Sequence, residues 1–178
     1  MNDIVLAKDD RTEYPIVISS HCSPSEKHGA NDLRYYLRAI SNANFNLVTD
    51  QAEQASKEIL LGESEHLREL NLGIDYSGLG EEGFIMRTHG DYLIITGGKL
   101  RGTMYGAYTF LEKYLGCRWY SSKVSRIPRR DEIAIGPIDD MEVSPLEYRD
   151  VHYADAFDAD WAARNKMNSA FSKIDEER

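Results

Sequence analysis

The stretch GGKLRGTMYGAYTFLEKYLGCRWY, from Gly97 to Tyr120, decides how the rest of the chain is read. Two glycines and an Arg-Gly-Thr lead into a strongly periodic apolar run. Leu100, Met104, Ala107, Tyr108, Leu111 and Leu115 recur at helical spacing as one apolar stripe, which Gly116 brings to a stop. A glycine-rich loop before a helix has two physical uses. It can aim backbone N–H groups at a phosphate or carboxylate, with Lys99 and Arg101 adding positive charge. It can equally be a tight strand-to-helix turn, with Gly102 and Gly106, four residues apart, letting the helix lie close against a sheet. GGKLRGT does not supply the P-loop pattern G-x-x-x-x-G-K-[ST], so the structural joint is the favoured reading.

Upstream, EEGFIMRTHGDYLIITGG reads as a β-hairpin, Phe84–Thr88 and Tyr92–Thr96 about a His-Gly-Asp turn. YPIVISS (Tyr14–Ser20) reads as a strand. Ser23 and Pro24 then open an amphipathic helix with Leu33, Tyr36, Leu37 and Ile40 on one face, ended by Asn42 and Asn44. FNLVTD is strand-like, KEILLGES is an apolar run stopped by Gly62, and SEHLREL is a short helix. Downstream, EIAIGP is a short strand, while residues 137–145 have the irregular, acidic composition of a linker or domain edge. PLEYRDVHY is strand-like and DADWAARNKMN helix-like. The expected class is α/β, in the α+β two-layer sense: a mixed β-sheet with helices packed on it. Residues 1–140 are expected to form one domain, with 141–178 outside it. A lone strand–helix unit cannot bury its own faces, so a cover for that tail is expected.

A chain of 178 residues can bury a real core. Its net charge of −9, with no basic patch, excludes a nucleic-acid backbone as partner. No apolar run approaches the roughly 20 residues that cross a bilayer, so no membrane partner is expected. MNDIVLAKDD lacks the basic and apolar regions of a signal peptide. Cys22 and Cys117 are read as buried free thiols in preference to a disulfide.

Several motifs fail on inspection. GLGEEG matches G-x-G-x-x-G through Gly78, Gly80 and Gly83, but a dinucleotide site needs a helix next, and a strand follows instead. His21, His28, His66, His89 and His152 are scattered, so no metal site is expected. Glu81/Glu82 and Asp139/Asp140 look solvated. Asp150, Asp155, Asp158 and Asp160 cluster around the last strand–helix unit, where at most a binding group or two is expected.

The residues from Leu79 to Tyr120 resemble the N-terminal domain of the family-67 alpha-glucuronidases and of related bacterial glycoside hydrolases. The pattern runs Glu82-Gly83-Phe84, Gly97-Gly98, Arg101-Gly102-Thr103, Tyr105-Gly106, Phe110-Leu111-Glu112 and Leu115-Gly116-Cys117-Arg118-Trp119. The resemblance implies a hexosaminidase domain-2-like fold, which carries no catalytic residue and no cofactor in those relatives. It also implies that residues 141–178 are a linker and the first strand and helix of a catalytic (β/α)8 barrel. In hexosaminidase-type barrels an arginine on the first strand meets the sugar, and Arg149 resembles it. Asp150 and His152 stand beside it as further candidate substrate contacts. For Arg149 an ion pair is the alternative. A barrel takes about 200 residues or more, so the chain is expected to stop early, and carbohydrate would be bound through the missing part. The parent protein is expected to be secreted or periplasmic.

Two other readings stay open. A free-standing carbohydrate-binding module needs exposed aromatic platforms, for which Trp119, Tyr120, Tyr153 and Trp161 are the candidates. An interaction domain would self-associate through the apolar surface that should cover the barrel.

Overall fold

Ser23 and Glu26 start the first helix by satisfying each other's backbone. In the computed structural model, which describes residues 3–168, the Glu26 N–H donates to Ser23 Oγ at 3.2 Å and the Ser23 N–H donates to Glu26 Oε2 at 2.8 Å. With Pro24 at the first helical position, this box launches α1 (Pro24–Ser41). Asn42 closes it in the left-handed conformation, φ 61°, donating its N–H to the Arg38 carbonyl at 2.7 Å. Leu33, Tyr36, Leu37 and Ile40 are all buried, as their spacing predicts.

The sheet that α1 covers has six strands. In chain order they are β2 (Ile16–Ile18), β3 (Leu47–Thr49), β4 (Glu58–Leu61), β5 (Phe84–His89), β6 (Tyr92–Gly97) and β10 (Asp139–Glu142), in spatial order β10-β5-β6-β4-β2-β3. Strands β3, β2, β4 and β6 are parallel, and β5 runs antiparallel to both β6 and β10. The sheet is therefore mixed, with helices packed on it. The hairpin extends one residue further on each strand than its apolar runs suggest, pairing Phe84 with Gly97 and His89 with Tyr92. Two short pairs flank the sheet, β1 (Ile4–Lys8) with β9 (Glu132–Ile135) and β7 (Arg118–Trp119) with β8 (Ser125–Arg126).

Side-chain alternation divides the core in two. Ile16, Ile18, Ile59, Leu61, Leu93 and Ile95 point to the face covered by α1 and α3 (Gly102–Lys113), while Val17, Leu60 and Ile94 point to the other. The central strands are buried on both faces, which is why they read as unbroken apolar runs instead of alternating ones. On the second face, α2 (Glu65–Glu69) contributes Leu67, and Leu70, Leu72 and Ile74 pack behind it. Leu100, expected in the helical stripe, lies before α3 and is exposed; its carbonyl accepts a hydrogen bond from Ser25 Oγ at 2.6 Å. Cys22 and Cys117 are free thiols. No helix among the described residues is long and apolar enough to cross a membrane.

Two expectations about the chain after residue 136 are corrected. Asp139–Glu142 is not irregular linker but a strand on β5, and its acids have partners: Asp139 accepts from Arg87 Nε at 2.8 Å and Asp140 from Lys113 Nζ at 2.7 Å. Cross-strand charge pairing lets so acidic a sequence join a sheet edge. Conversely, Leu146–Tyr153 forms no strand among the described residues. A strand needs a neighbour's N–H and C=O groups, and here side chains take their place: Asn168 accepts from the Arg149 N–H at 2.7 Å and donates to the Glu147 carbonyl at 2.7 Å. The helix-like segment is a 3-10 turn (Ala154–Phe157) followed by α4 (Ala159–Arg164), capped by Asp158 through the Trp161 N–H at 2.7 Å. The cover that this segment needs is the domain itself, because Trp161, Ala162, Ala163 and Met167 are buried in the larger core.

Truncating Trp161 to alanine should therefore cost about 3 kcal/mol or more in urea unfolding, whereas a loosely attached tail would give no change. The thiols should also differ. Burial pushes Cys117 up to about 11 and raises Cys22, which stays partly exposed. A thiol-disulfide reagent at mildly alkaline pH should label Cys22 slowly and Cys117 only after denaturation.

Candidate functional site

The glycine-rich joint can be judged by what its backbone groups already do. Gly98 N–H donates to the Gly83 carbonyl at 2.8 Å, Arg101 N–H to the Glu81 carbonyl at 3.2 Å, and Gly102 N–H to the Gly98 carbonyl at 3.0 Å. Three of the joint's N–H groups are thus engaged within the protein. The glycines answer a need for space. A Cβ on Gly98 would come within 2.2 Å of the Gly80 carbonyl oxygen, and one on Gly102 within 2.2 Å of the Gly83 carbonyl oxygen. Gly97 ends β6 and Gly106 lies over Ile95 and Phe84, so the pattern from Gly83 and Phe84 to Gly106 is one close-packed crossing of hairpin and helix. Thr103 and Tyr105 are buried in it, and Trp119 is 7% exposed. At these positions the glycines serve close packing.

Beside the joint, Glu82 reaches the tail. Its carboxylate pairs with Arg149 Nη2 and accepts from Asn168 Nδ2 at 3.1 Å. Arg149 is committed on every side: Nε donates to the Lys166 carbonyl and Nη1 to the Leu146 carbonyl, both at 2.7 Å, and the guanidinium lies 5.6 Å from the Tyr105 ring centre. The side chains of Arg149 and Glu82 are 18% and 15% exposed, so this pair is well shielded from water. Tyr105 extends the tie by donating to the Met167 carbonyl at 2.8 Å.

A second tie joins α4 to α1 and α3. Trp161 Nε1 donates to the Trp119 carbonyl at 3.1 Å, and the Trp119 ring meets Tyr36 and Tyr108 edge-on at 5.2 and 5.8 Å. Asp32 accepts from Arg164 Nε and from the Tyr108 hydroxyl, each at 3.0 Å. Burial, reinforced by the Asp32 charge, raises the Tyr108 phenol well above its ordinary range. Burial opposes the charge of Arg164, yet Asp32 more than compensates and raises it. Lys166 pairs with Glu112 at 2.6 Å.

Between the joint and the tail lies a cleft of about 690 Å³, lined among others by Glu82, Arg101, Leu146, Tyr148 and Arg149. Of the three candidate substrate contacts, Arg149 has its donors engaged by the protein itself. Asp150 accepts from the Tyr148 hydroxyl at 2.9 Å, and His152, exposed, sits edge-on to Phe157 at 5.7 Å. No hydrogen bond or ion pair joins Arg149 to Asp150 or His152 among the described residues. Of the four candidate aromatic platforms, Trp119 and Trp161 are core, and Tyr120 and Tyr153 are exposed. Sequence reasoning missed Glu82, which it placed in solvent, and Asn168. The one hint was position: Glu82 directly precedes the buried Gly83-Phe84 pair.

Residues 7–110 match the family described as the glycosyl hydrolase family 67 N-terminus. No curated protein matches the sequence. Among solved structures the chain is similar to a family GH115 4-O-methyl-alpha-glucuronidase with specificity for decorated arabinogalactans, at 19% identity and a TM-score of 0.61, covering 82% of this chain and 19% of that one. It is also similar to a GH20 exo-beta-N-acetylglucosaminidase from Vibrio harveyi, at 14% identity and a TM-score of 0.54, over 94% of this chain and 22% of that one. A third is the GH20 beta-N-acetylhexosaminidase from Streptomyces coelicolor A3(2), at 16% and 0.51, over 83% and 25%. At such identities the likeness establishes the fold, which is the hexosaminidase-like domain expected. The chain spans between 19% and 25% of the length of these structures.

The space argument at the joint is directly testable. Gly102→Ala should lose about 2 kcal/mol or more by urea unfolding, because its Cβ meets backbone that cannot yield. Gly136→Ala, whose Cβ would meet nothing nearer than 3.7 Å, should stay within about 0.5 kcal/mol of the parent chain.

Proposed function

The chain belongs to the family of glycosyl hydrolase family 67 N-termini, and from that membership we propose that it is the non-catalytic accessory domain of a glycoside hydrolase. In this reading the residues after β10, from 143 onward, lead into a catalytic barrel, and the domain's work is to place that barrel. The observation that carries the reading is the pair of ties between domain and tail. Glu82 grips Arg149 and Asn168 on one side, and Asp32 and Trp119 hold Arg164 and Trp161 on the other. Two separated attachments fix a segment in orientation as well as position, which a passive linker does not do.

The chemistry of the carboxylates supports the same conclusion. Glycoside hydrolysis needs two carboxyl groups free to face a sugar from opposite sides. Glu82, Asp32, Glu112 and Asp140 are each bound to a cation or hydroxyl of the protein. Arg149 acts here as a positioning residue for the start of the barrel, and Asp150 and His152 are the candidate substrate contacts that it carries. A polymeric carbohydrate substrate would put the parent protein in the periplasm or outside the cell.

The 178-residue chain should show no turnover of chromogenic glucuronides or N-acetylhexosaminides; hydrolysis that survives repurification would overturn the accessory role. Intact mass of the native polypeptide tests the other half. A product longer by about 200 residues or more is expected, and one ending at Arg178 sinks the barrel reading.

A further inference from the structure

Where the tail meets the domain, two carboxylates each have at least one cation to themselves: Glu82 has Arg149, and Glu112 has Lys166 with Arg118 beyond it at 3.9 Å. Between α1 and α4 the matching fails. Asp32 of α1 and Asp160 of α4 share a single guanidinium, Arg164, at 3.0 and 3.6 Å. The remaining titratable group facing α4 is His28, one turn before Asp32 on α1. Its side chain is only 12% exposed, and its Nε2 has no hydrogen-bond partner among the described residues. That nitrogen lies 3.8 Å from Asp160 Oδ1. Two phenols complete the surroundings. Tyr36 of α1 lies under the Arg164 guanidinium at 5.6 Å, and Tyr108 of α3 donates to Asp32. Burial pushes Tyr36 up to about 12 and raises Tyr108 well above its ordinary range, so both are neutral.

Two carboxylates against one guanidinium leave the contact with one negative charge too many. A proton on His28 cancels it and turns an unpaired buried nitrogen into a charge-assisted donor aimed at Asp160. We propose that His28 is a proton-operated clasp between α1 and α4. With the proton on, His28 and Asp160 draw together and the tail closes on the domain. With it off, the imidazole carries no charge to offset the two carboxylates, and the excess loosens the contact. The sign follows from linkage: the closed form binds the proton more tightly, so acidification strengthens closure and rising pH weakens it. The stiffness of the joint thereby becomes a function of pH, whatever lies beyond it.

Amide hydrogen exchange over residues 159–167 of the 178-residue chain, at about pH 5.5 and about pH 8 and corrected for intrinsic rates, measures this. The opening constant should be about three- to fivefold smaller at the lower pH, the size of one partly exposed charge pair. In His28→Gln and in Asp160→Asn the ratio should fall to one, while the Asp158 cap and the Trp161 contacts hold the helix in place. NMR of the His28 imidazole should show its titration moving to lower pH in Asp160→Asn. A flat profile in the parent chain, a pH dependence that survives in His28→Gln, or a His28 titration that Asp160→Asn leaves unmoved overturns the clasp.

Discussion

The carbonyl oxygen of Gly83 is the point on which the domain closes. It accepts the Gly98 N–H at 2.8 Å, and it occupies the space that a Cβ on Gly97 or Gly102 would need. Three segments meet there: the turn before β5, the end of β6 and the first turn of α3. Because the backbones touch without intervening side chains, α3 lies flat enough on the sheet for Phe84, Ile95 and Tyr105 to share one core. The same crossing fixes Glu82, one residue earlier, at the edge of the cleft, and so decides where Arg149 and Asn168 are held.

From that point the tail follows. Tyr105 reaches Met167 from the first turns of α3, and Tyr108, one turn on, reaches Asp32 and through it Arg164. A helix placed by glycine contacts on one side thus carries, on the other, the hydroxyls that receive α4. Trp119 adds the last support, its carbonyl to Trp161 and its ring to Tyr36 and Tyr108. Stability and geometry are not separable here, because the groups that bury α4 are also those that orient it.

The parts that were legible from the sequence are those whose signal is local. Ser23-Pro24, the 3.6-residue stripe of α1 and the His-Gly-Asp turn each announce themselves within a few residues, and the structure has them in place. What escaped is long-range pairing of charges. Glu81-Glu82 and Asp139-Asp140 are equally acidic dipeptides, yet Glu82 is shielded by Arg149, Asp140 by Lys113 and Tyr114, while Glu81 is exposed. Only its place just before Gly83-Phe84 distinguishes Glu82 locally, since its partner lies on a segment folded back from far along the sequence. Leu146–Tyr153 misled for a related reason: β-branched and aromatic residues describe a willingness to be extended, not the presence of a neighbour to pair with.

The acids of β10 have a consequence for solubility. A six-stranded sheet has two open rims, and each presents unpaired backbone groups that could accept a strand from another molecule. One rim, β3, is only three residues long. The other, β10, carries Asp139, Asp140 and Glu142 among its four residues, and a second copy laid alongside would bring like charges together. Composition that reads locally as a linker thus makes this rim unfavourable to a second strand, and apolar replacements along Asp139–Glu142 would remove that charge together with the ties to Arg87, Lys113 and Tyr114.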